Sequence, residues 1–185
     1  MDLRSTGTAF GFLGDPDSHG IVSADVRATE PRGGVKDMAD RIVLFVCVEN
    51  AGRSLMAEAL FHRDAPAGWR AVSAGTRPAA GPNPRTAAML EEIGLGMPHH
   101  PPQLLTRQMI EESAIRVTMG CLDDAACPAR LKEREYRDWG LPDPAKLDDA
   151  GFREVRDRLR GLVEGLVREI RSGETTPAPG RVPPR

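Results

Sequence analysis

Aromatic side chains are scarce in this sequence of 185 residues: Phe, Trp and Tyr together make up 4%. Such a chain has few surfaces on which bases stack, so single-stranded nucleic acid is not an expected partner. Strong charge of one sign is also missing. The formal net charge is −2, which gives no global field toward nucleic acid or an anionic membrane. No apolar run approaches the roughly 20 residues that span a bilayer. The opening stretch, MDLRSTGTAFGFLGDPDSHG, lacks an apolar signal core followed by a small-residue cleavage site. A cytoplasmic location and no membrane partner are therefore expected. Cysteine is sparse too, at three residues. In a reducing compartment these are expected to be working thiols rather than a structural disulfide. No internal repeat is found.

What remains is an ordinary globular composition, 40% apolar and 28% charged, at a length that favours one domain. Residues 1–37 hold Gly, Pro, Asp and Ser without a helical or strand period and read as a disordered leader. Met38 stands just before the first patterned segment and is a candidate start. Residues 173–185 read as a disordered Pro-rich tail.

Between these ends, at 38–172, strand and helix patterns alternate. Arg41–Val46 is a short apolar run, as in a strand buried on both faces. Ser54–Arg63 carries Leu55, Met56, Ala59 and Leu60 in a helical stripe. Trp69–Ala74, Ile115–Met119 and the weaker Glu135–Trp139 are further strands. Arg85–Ile93 is a second helix, stopping at Gly94, and Gly151–Arg171 is an amphipathic helix with Phe152, Val155, Leu159, Leu162 and Val163 on its apolar face. The expected fold is α/β: a single doubly wound domain, with a four-stranded parallel sheet and helices on both faces.

The stretch Cys47-Val48-Glu49-Asn50-Ala51-Gly52-Arg53-Ser54 carries chemistry. A cysteine at the carboxyl end of a buried strand, followed by a tight loop into a helix, lies where open α/β sheets bind ligands. Successive backbone N–H groups of such a loop converge on an anion, and the helix dipole adds positive potential. Arg53 is placed to fork two hydrogen bonds onto a tetrahedral oxyanion. The same field favours the Cys47 thiolate, a nucleophile to which Ser54 can donate. Ala51 and Gly52 let the backbone curl closely, and Glu49 must point outward if the loop is to hold a dianion. The plain alternative is an inert cysteine at a strand end, which leaves the other loop residues without a shared reason.

VLFVCVENAGRSLMAEALF resembles the phosphate-loop segment of the low-molecular-weight protein tyrosine phosphatases and of the arsenate reductases that share their fold. The Asn-Ala-Gly-Arg-Ser wording is closer to the reductases. Ser73-Ala74-Gly75-Thr76 and Asp143-Pro144 are similar to two further recurring segments of the family. The resemblance covers about Arg41 to Arg171. It implies that Cys47 is the nucleophile, Arg53 the oxyanion clamp and Asp143 the acid that protonates the leaving oxygen. By itself, Asp143 before Pro144 reads equally well as a turn former.

The resemblance also separates the branches. In thioredoxin-linked arsenate reductases a cysteine pair in the position of Cys121 and Cys127 carries oxidation away from the nucleophile. It implies a Cys47–Cys121 disulfide followed by a Cys121–Cys127 disulfide, each by thiol–disulfide exchange. The substrate would be arsenate or a phosphate ester. No tightly bound cofactor is implied, only an external thiol reductant of the thioredoxin kind. The pair as apolar filler is the simpler alternative; zinc is not expected, since C-x2-C spacing is absent. A monovalent cation near Asn50, Glu58 and Ser73 is implied for some relatives, against a plain brace of hydrogen bonds. The chain departs from the family around Met97–Pro102, where His99 is the candidate partner of Asn50. His62 is expected to face solvent. The alternatives to arsenate reduction are a tyrosine or small-molecule phosphatase and a non-catalytic thiol sensor.

Overall fold

The computed structural model describes residues 41–120, 129–132 and 135–173. The expected leader, the expected tail beyond Gly173, and Cys121 and Cys127 lie outside them. β1 (Arg41–Cys47) is buried from Ile42 onward, as its unbroken apolar run requires of a strand covered on both faces. It pairs in parallel with β2 (Trp69–Gly75) on one side and β3 (Ser113–Thr118) on the other, and β4 (Glu135–Asp138) pairs in parallel with β3. The order is β2-β1-β3-β4. The chain leaves β1 first toward one edge and later toward the other, so the carboxyl end of β1 is the switch point where a crevice opens.

Four α-helices are described: α1 (Arg53–Asp64), α2 (Pro84–Glu91), α3 (Arg107–Glu112) and α4 (Asp149–Ser172). Alternation along β1 divides the core. Val43 and Phe45 meet Met56, Leu60 and Phe61 of α1 and Phe152, Leu159 and Val163 of α4. Leu44 and Val46 face the other way, with Ala74, Ile110 of α3 and Leu131. Each such side chain, once buried, contributes about 1.5–3 kcal/mol. The four-stranded parallel sheet, helices on both faces, is the expected one.

Three local features go beyond that expectation. α3 has six residues with Ile110 as its buried residue, and it starts because the Thr106 side chain accepts from Met109 N. Arg116 is buried in β3, donating to the Ile110 carbonyl at 3.1 Å and to Ser113 Oγ at 3.1 Å. His62 is exposed as expected, yet its Nε2 accepts the Ala71 N–H at 3.1 Å. No helix among the described residues is long and apolar enough to cross a membrane.

Candidate active site

Three of the four described helices begin with a side-chain cap: Asn83 on α2, Thr106 on α3 and Asp148 on α4. α1 does not. Its N-cap is Gly52, with no side-chain hydrogen bond. The first N–H groups of a helix have no intrahelical acceptor, so those of α1 are left for whatever occupies the loop in front of it. That loop starts at Cys47, at the switch point.

Cys47 is 3% exposed. Its Sγ accepts the Asn50 N–H at 3.1 Å and lies 3.1 Å from Ser54 Oγ. Ser54 Oγ already accepts from Asn50 Nδ2 at 2.8 Å, so its own proton is free to point at the sulfur. Asn50 is fully buried and is the one non-glycine residue with positive φ, +50°, among the described residues. Asn tolerates this conformation better than most residues because its side chain bonds locally. Here Nδ2 also donates to Ser73 Oγ at 2.9 Å, while Oδ1 accepts the Gln103 N–H at 2.9 Å. A single side chain thus ties the loop to α1, to β2 and to the segment that follows residue 91.

The close approach that shapes the loop is at Gly75. A Cβ there would lie 2.6 Å from the Val48 carbonyl oxygen and 2.9 Å from Asn50 N. At Gly52 a Cβ would meet nothing nearer than Thr86 Oγ1 at 3.6 Å. The tight curl expected of Ala51 and Gly52 is therefore made by Asn50 and Gly75. The loop's carbonyls are turned away from its mouth by outer partners: Val48 O accepts from Arg77 N, Glu49 O from Ala79 N, and Ala51 O from Asn83 N and Thr86 Oγ1. Glu49 is exposed and is among the residues that line the cleft over the loop.

A cleft of about 380 Å³ opens over this loop. Cys47, Val48, Glu49, Ala51, Gly52 and Arg53 line its floor, and Asp143, Pro144, Ala145 and Lys146 line a wall. Arg53 is 8% exposed and gives one N–H to the Leu141 carbonyl at 2.8 Å; a guanidinium has five such donors. Asp143 is half-buried, and its Oδ1 accepts the Ala145 N–H at 3.1 Å, opening a 3-10 turn at Pro144–Lys146. It is thus both the turn former and a group in the cleft. The wall is held close by Gly120 and Gly140, both at positive φ: a Cβ on Gly120 would stand 2.3 Å from Gly140 Cα.

Behind the loop, the place expected for His99 on Asn50 is taken by the Gln103 N–H, and it is His100 that turns inward, to Glu58. His99 is exposed, whereas His100 Nε2 lies 3.0 Å and 3.1 Å from the two carboxylate oxygens of Glu58, itself 5% exposed. His100 Nδ1 lies 2.9 Å from the Pro101 carbonyl. Both ring nitrogens face acceptors, so the doubly protonated ring suits the site. Partial burial pushes its pKa down, but the Pro101 carbonyl and the Glu58 carboxylate outweigh this and hold it above the ordinary value of 6.5. Of the three residues implied near a cation, Asn50 and Ser73 bond each other and Glu58 is turned to His100. No group of three His, Cys, Asp or Glu among the described residues is arranged to hold a metal ion.

Cys47, Arg53 and Asp143 are brought to one cleft, with Val48, Glu49, Ala51 and Gly52 beside them. Asn50 and Ser54 stand behind the sulfur. Sequence reasoning misses Gln103, His100, Asn83 and Thr86, although Asn83-Pro84 is a recognisable helix start, with a capping Asn followed by Pro at the first helical position.

The family model described as low molecular weight phosphotyrosine protein phosphatase matches residues 42–175. Arsenate reductase 1 of Staphylococcus epidermidis is 31% identical over 133 residues, which are 72% of this chain and 100% of that protein. Among solved structures, the thioredoxin-dependent arsenate reductase of Corynebacterium glutamicum matches with a TM-score of 0.61 at 33% identity, over 72% of this chain and 63% of its own. The YwlE arginine phosphatase from Geobacillus stearothermophilus matches with a TM-score of 0.63 at 23% identity, over 75% of this chain and 99% of its own, a likeness of fold alone.

Proposed function

The chain belongs to the low molecular weight phosphotyrosine protein phosphatase family, and from that premise we propose that it reduces arsenate to arsenite, with Cys47 as nucleophile. The reading is carried by the meeting of Cys47, Arg53 and Asp143 at one cleft, in a chain whose 31% identical relative is an arsenate reductase.

Arsenate enters the loop with its oxygens toward the N–H groups of α1 and the free donors of Arg53. Charge developing on those oxygens meets donors already in place. The Cys47 thiolate attacks arsenic and an S–As bond forms. The departing oxygen takes its proton from Asp143, which acts as general acid. The thiolate of Cys121 then attacks Cys47 Sγ. As the S–As bond breaks, its electron pair stays with arsenic, arsenite leaves and a Cys47–Cys121 disulfide remains. Attack by Cys127 on Cys121 restores the Cys47 thiol and leaves a Cys121–Cys127 disulfide. An external dithiol of the thioredoxin kind is then oxidised as it reduces that bridge. Arsenic gains two electrons and the protein's thiols lose them.

Phosphomonoester hydrolysis through a cysteinyl-phosphate is the second reading. It is favoured by Asp143 at the cleft, because an ester's leaving oxygen also needs a proton. A thiol sensor has no use for Arg53 or Asp143 there. The test follows thioredoxin-dependent oxidation of a reduced nicotinamide with arsenate present. Cys121→Ser and Cys127→Ser are expected to lose turnover with arsenate while keeping aryl phosphate hydrolysis. Cys47→Ser is expected to lose both, since a hydroxyl is barely ionised at neutral pH. Loss of both activities in the Cys121 and Cys127 variants would make that pair structural and leave a phosphatase.

A further inference from the structure

Arg85, on the first turn of α2, is not one of the groups lining the cleft, and neither chemical reading uses it. It gives an N–H to the Leu147 carbonyl at 2.9 Å and a second to Asp149 at 2.7 Å, and its guanidinium lies 4.9 Å from the centre of the Phe152 ring. The Leu147 carbonyl closes the segment that starts at Leu141, whose carbonyl is held by Arg53. Two arginines, each at the head of a helix, therefore hold the two ends of the stretch that carries Asp143.

The same turn of α2 grips the nucleophile's loop. Asn83 N donates to the Ala51 carbonyl at 2.9 Å, and Thr86 Oγ1 donates to it at 3.2 Å. The short stretch from Asn83 to Thr86 thus touches both halves of the site. The far end of α2 is fixed as well: Arg156 donates to the Met89 carbonyl at 3.1 Å and to Glu92 at 2.7 Å, and Arg153 pairs with Glu92 at 2.6 Å. An element held at both ends and bonded to two loops sets the distance between them.

We propose that the first turn of α2 fixes the separation of the nucleophile loop from the acid loop, and that Arg85 is a positioning residue for proton transfer by Asp143. The inference rests on the assignment of Asp143 as the acid. A lone surface ion pair between Arg85 and Asp149 would matter little. What sets Arg85 apart is a fork that spans the Leu147 carbonyl and the Asp149 carboxylate while the guanidinium lies over the Phe152 ring, a geometry that a flexible ammonium does not reproduce.

The test compares Arg85→Met, Arg85→Lys, Asp143→Asn and the Arg85→Met/Asp143→Asn double variant of the full chain. The substrates are para-nitrophenyl phosphate, a good leaving group, and phenyl phosphate, a poor one. Loss of the acid in Asp143→Asn is expected to slow phenyl phosphate by ~10²-fold. A small displacement of the acid in Arg85→Met is expected to lower kcat for phenyl phosphate by ~10-fold, and to leave KM and the nitrophenyl rate within ~2-fold. Arg85→Lys should recover part of the loss. The double variant should be no slower than Asp143→Asn, because both changes act on one step. Equal slowing of both substrates by Arg85→Met, or full additivity in the double variant, overturns the proposal. Wild-type kinetics in Arg85→Met beside a leaving-group effect in Asp143→Asn overturns it while sparing the acid assignment. Absence of that effect in Asp143→Asn overturns both.

Discussion

Removing the Asn50 side chain tests how the loop keeps its shape. Asn50→Ala deletes the bonds to Ser54 Oγ, Ser73 Oγ and the Gln103 N–H. At about 1 kcal/mol net for each bond, the three together are worth about 3 kcal/mol. The site is fully buried, so water does not readily replace them. Alanine must also adopt the left-handed conformation at φ +50° without a side-chain bond to offset it, which adds about 1 kcal/mol. The expected loss is about 4 kcal/mol, a large share of the roughly 5–15 kcal/mol of a typical domain. Asn50→Gly loses the same bonds but has no difficulty with the conformation, so it should be at least as stable as Asn50→Ala despite glycine's freer unfolded state. Urea unfolding at an unchanged m-value measures both. Alkylation of Cys47 at fixed pH should slow in each variant, since a relaxed loop no longer aims the Asn50 N–H at the sulfur. A loss below about 1 kcal/mol in Asn50→Ala would show that the bonds do not set the loop. Greater stability in Asn50→Ala than in Asn50→Gly would remove the conformational half of the argument.

Other perturbations follow from neighbouring geometry. Gly75→Ala puts a Cβ 2.6 Å from the Val48 carbonyl oxygen, so it should cost about 1–3 kcal/mol in unfolding experiments and ~10²-fold in turnover as the loop shifts; activity within a factor of two of wild type would rule out that constraint. The raised pKa of His100 means that its contribution to stability is complete below the ordinary 6.5 and is lost as pH rises through the folded value. Unfolding free energy measured from pH 6 to pH 9 should therefore fall more steeply in wild type than in His100→Gln, and parallel curves would contradict the charged pairing. Hydrogen bonds from Arg153 and then Arg156 hold the Glu92 carboxyl at about 2, below its usual 4.5. Its contribution is present above 4.5 and lost as pH falls toward 2, so Glu92→Gln should flatten that acid limb of the stability curve.

What could be read beforehand follows the strength of local signals. β1 announces itself because a strand covered on both faces must be apolar throughout, and α4 because its stripe persists over 24 residues. α3 is legible to neither rule: six residues with Ile110 buried carry no period, and tertiary contact with the sheet makes the helix. At the site, Cys47 and Arg53 are legible since a strand, a loop and a helix start follow one another without a break. Asp143 needs the family resemblance, as Asp-Pro says turn as readily as acid. The brace behind the loop is hidden for a different reason. Gln103 and His100 reach Asn50 and Glu58 across 53 and 42 positions of sequence, and no local pattern encodes such a meeting. His99, the candidate partner of Asn50, is exposed and the Gln103 N–H takes that place, because a Pro-rich segment has no periodicity to say which group turns inward.

The bare start of α1 also says something about what evolution can do with this fold. Any ordinary improvement of that helix, such as Gly52→Asp or Gly52→Ser, would supply the cap that the other three helices have and would be expected to add roughly a few tenths of a kcal/mol. On the proposed reading it would also place an oxygen where those of arsenate are held. Stability and turnover are therefore opposed at Gly52, and selection for robustness alone would close the site. A bound oxyanion relieves the opposition, because it satisfies the same N–H groups and favours the folded chain in proportion to its concentration. On that reading the folded protein is finished by its ligand: the cap that α1 lacks is carried by the molecule it acts upon.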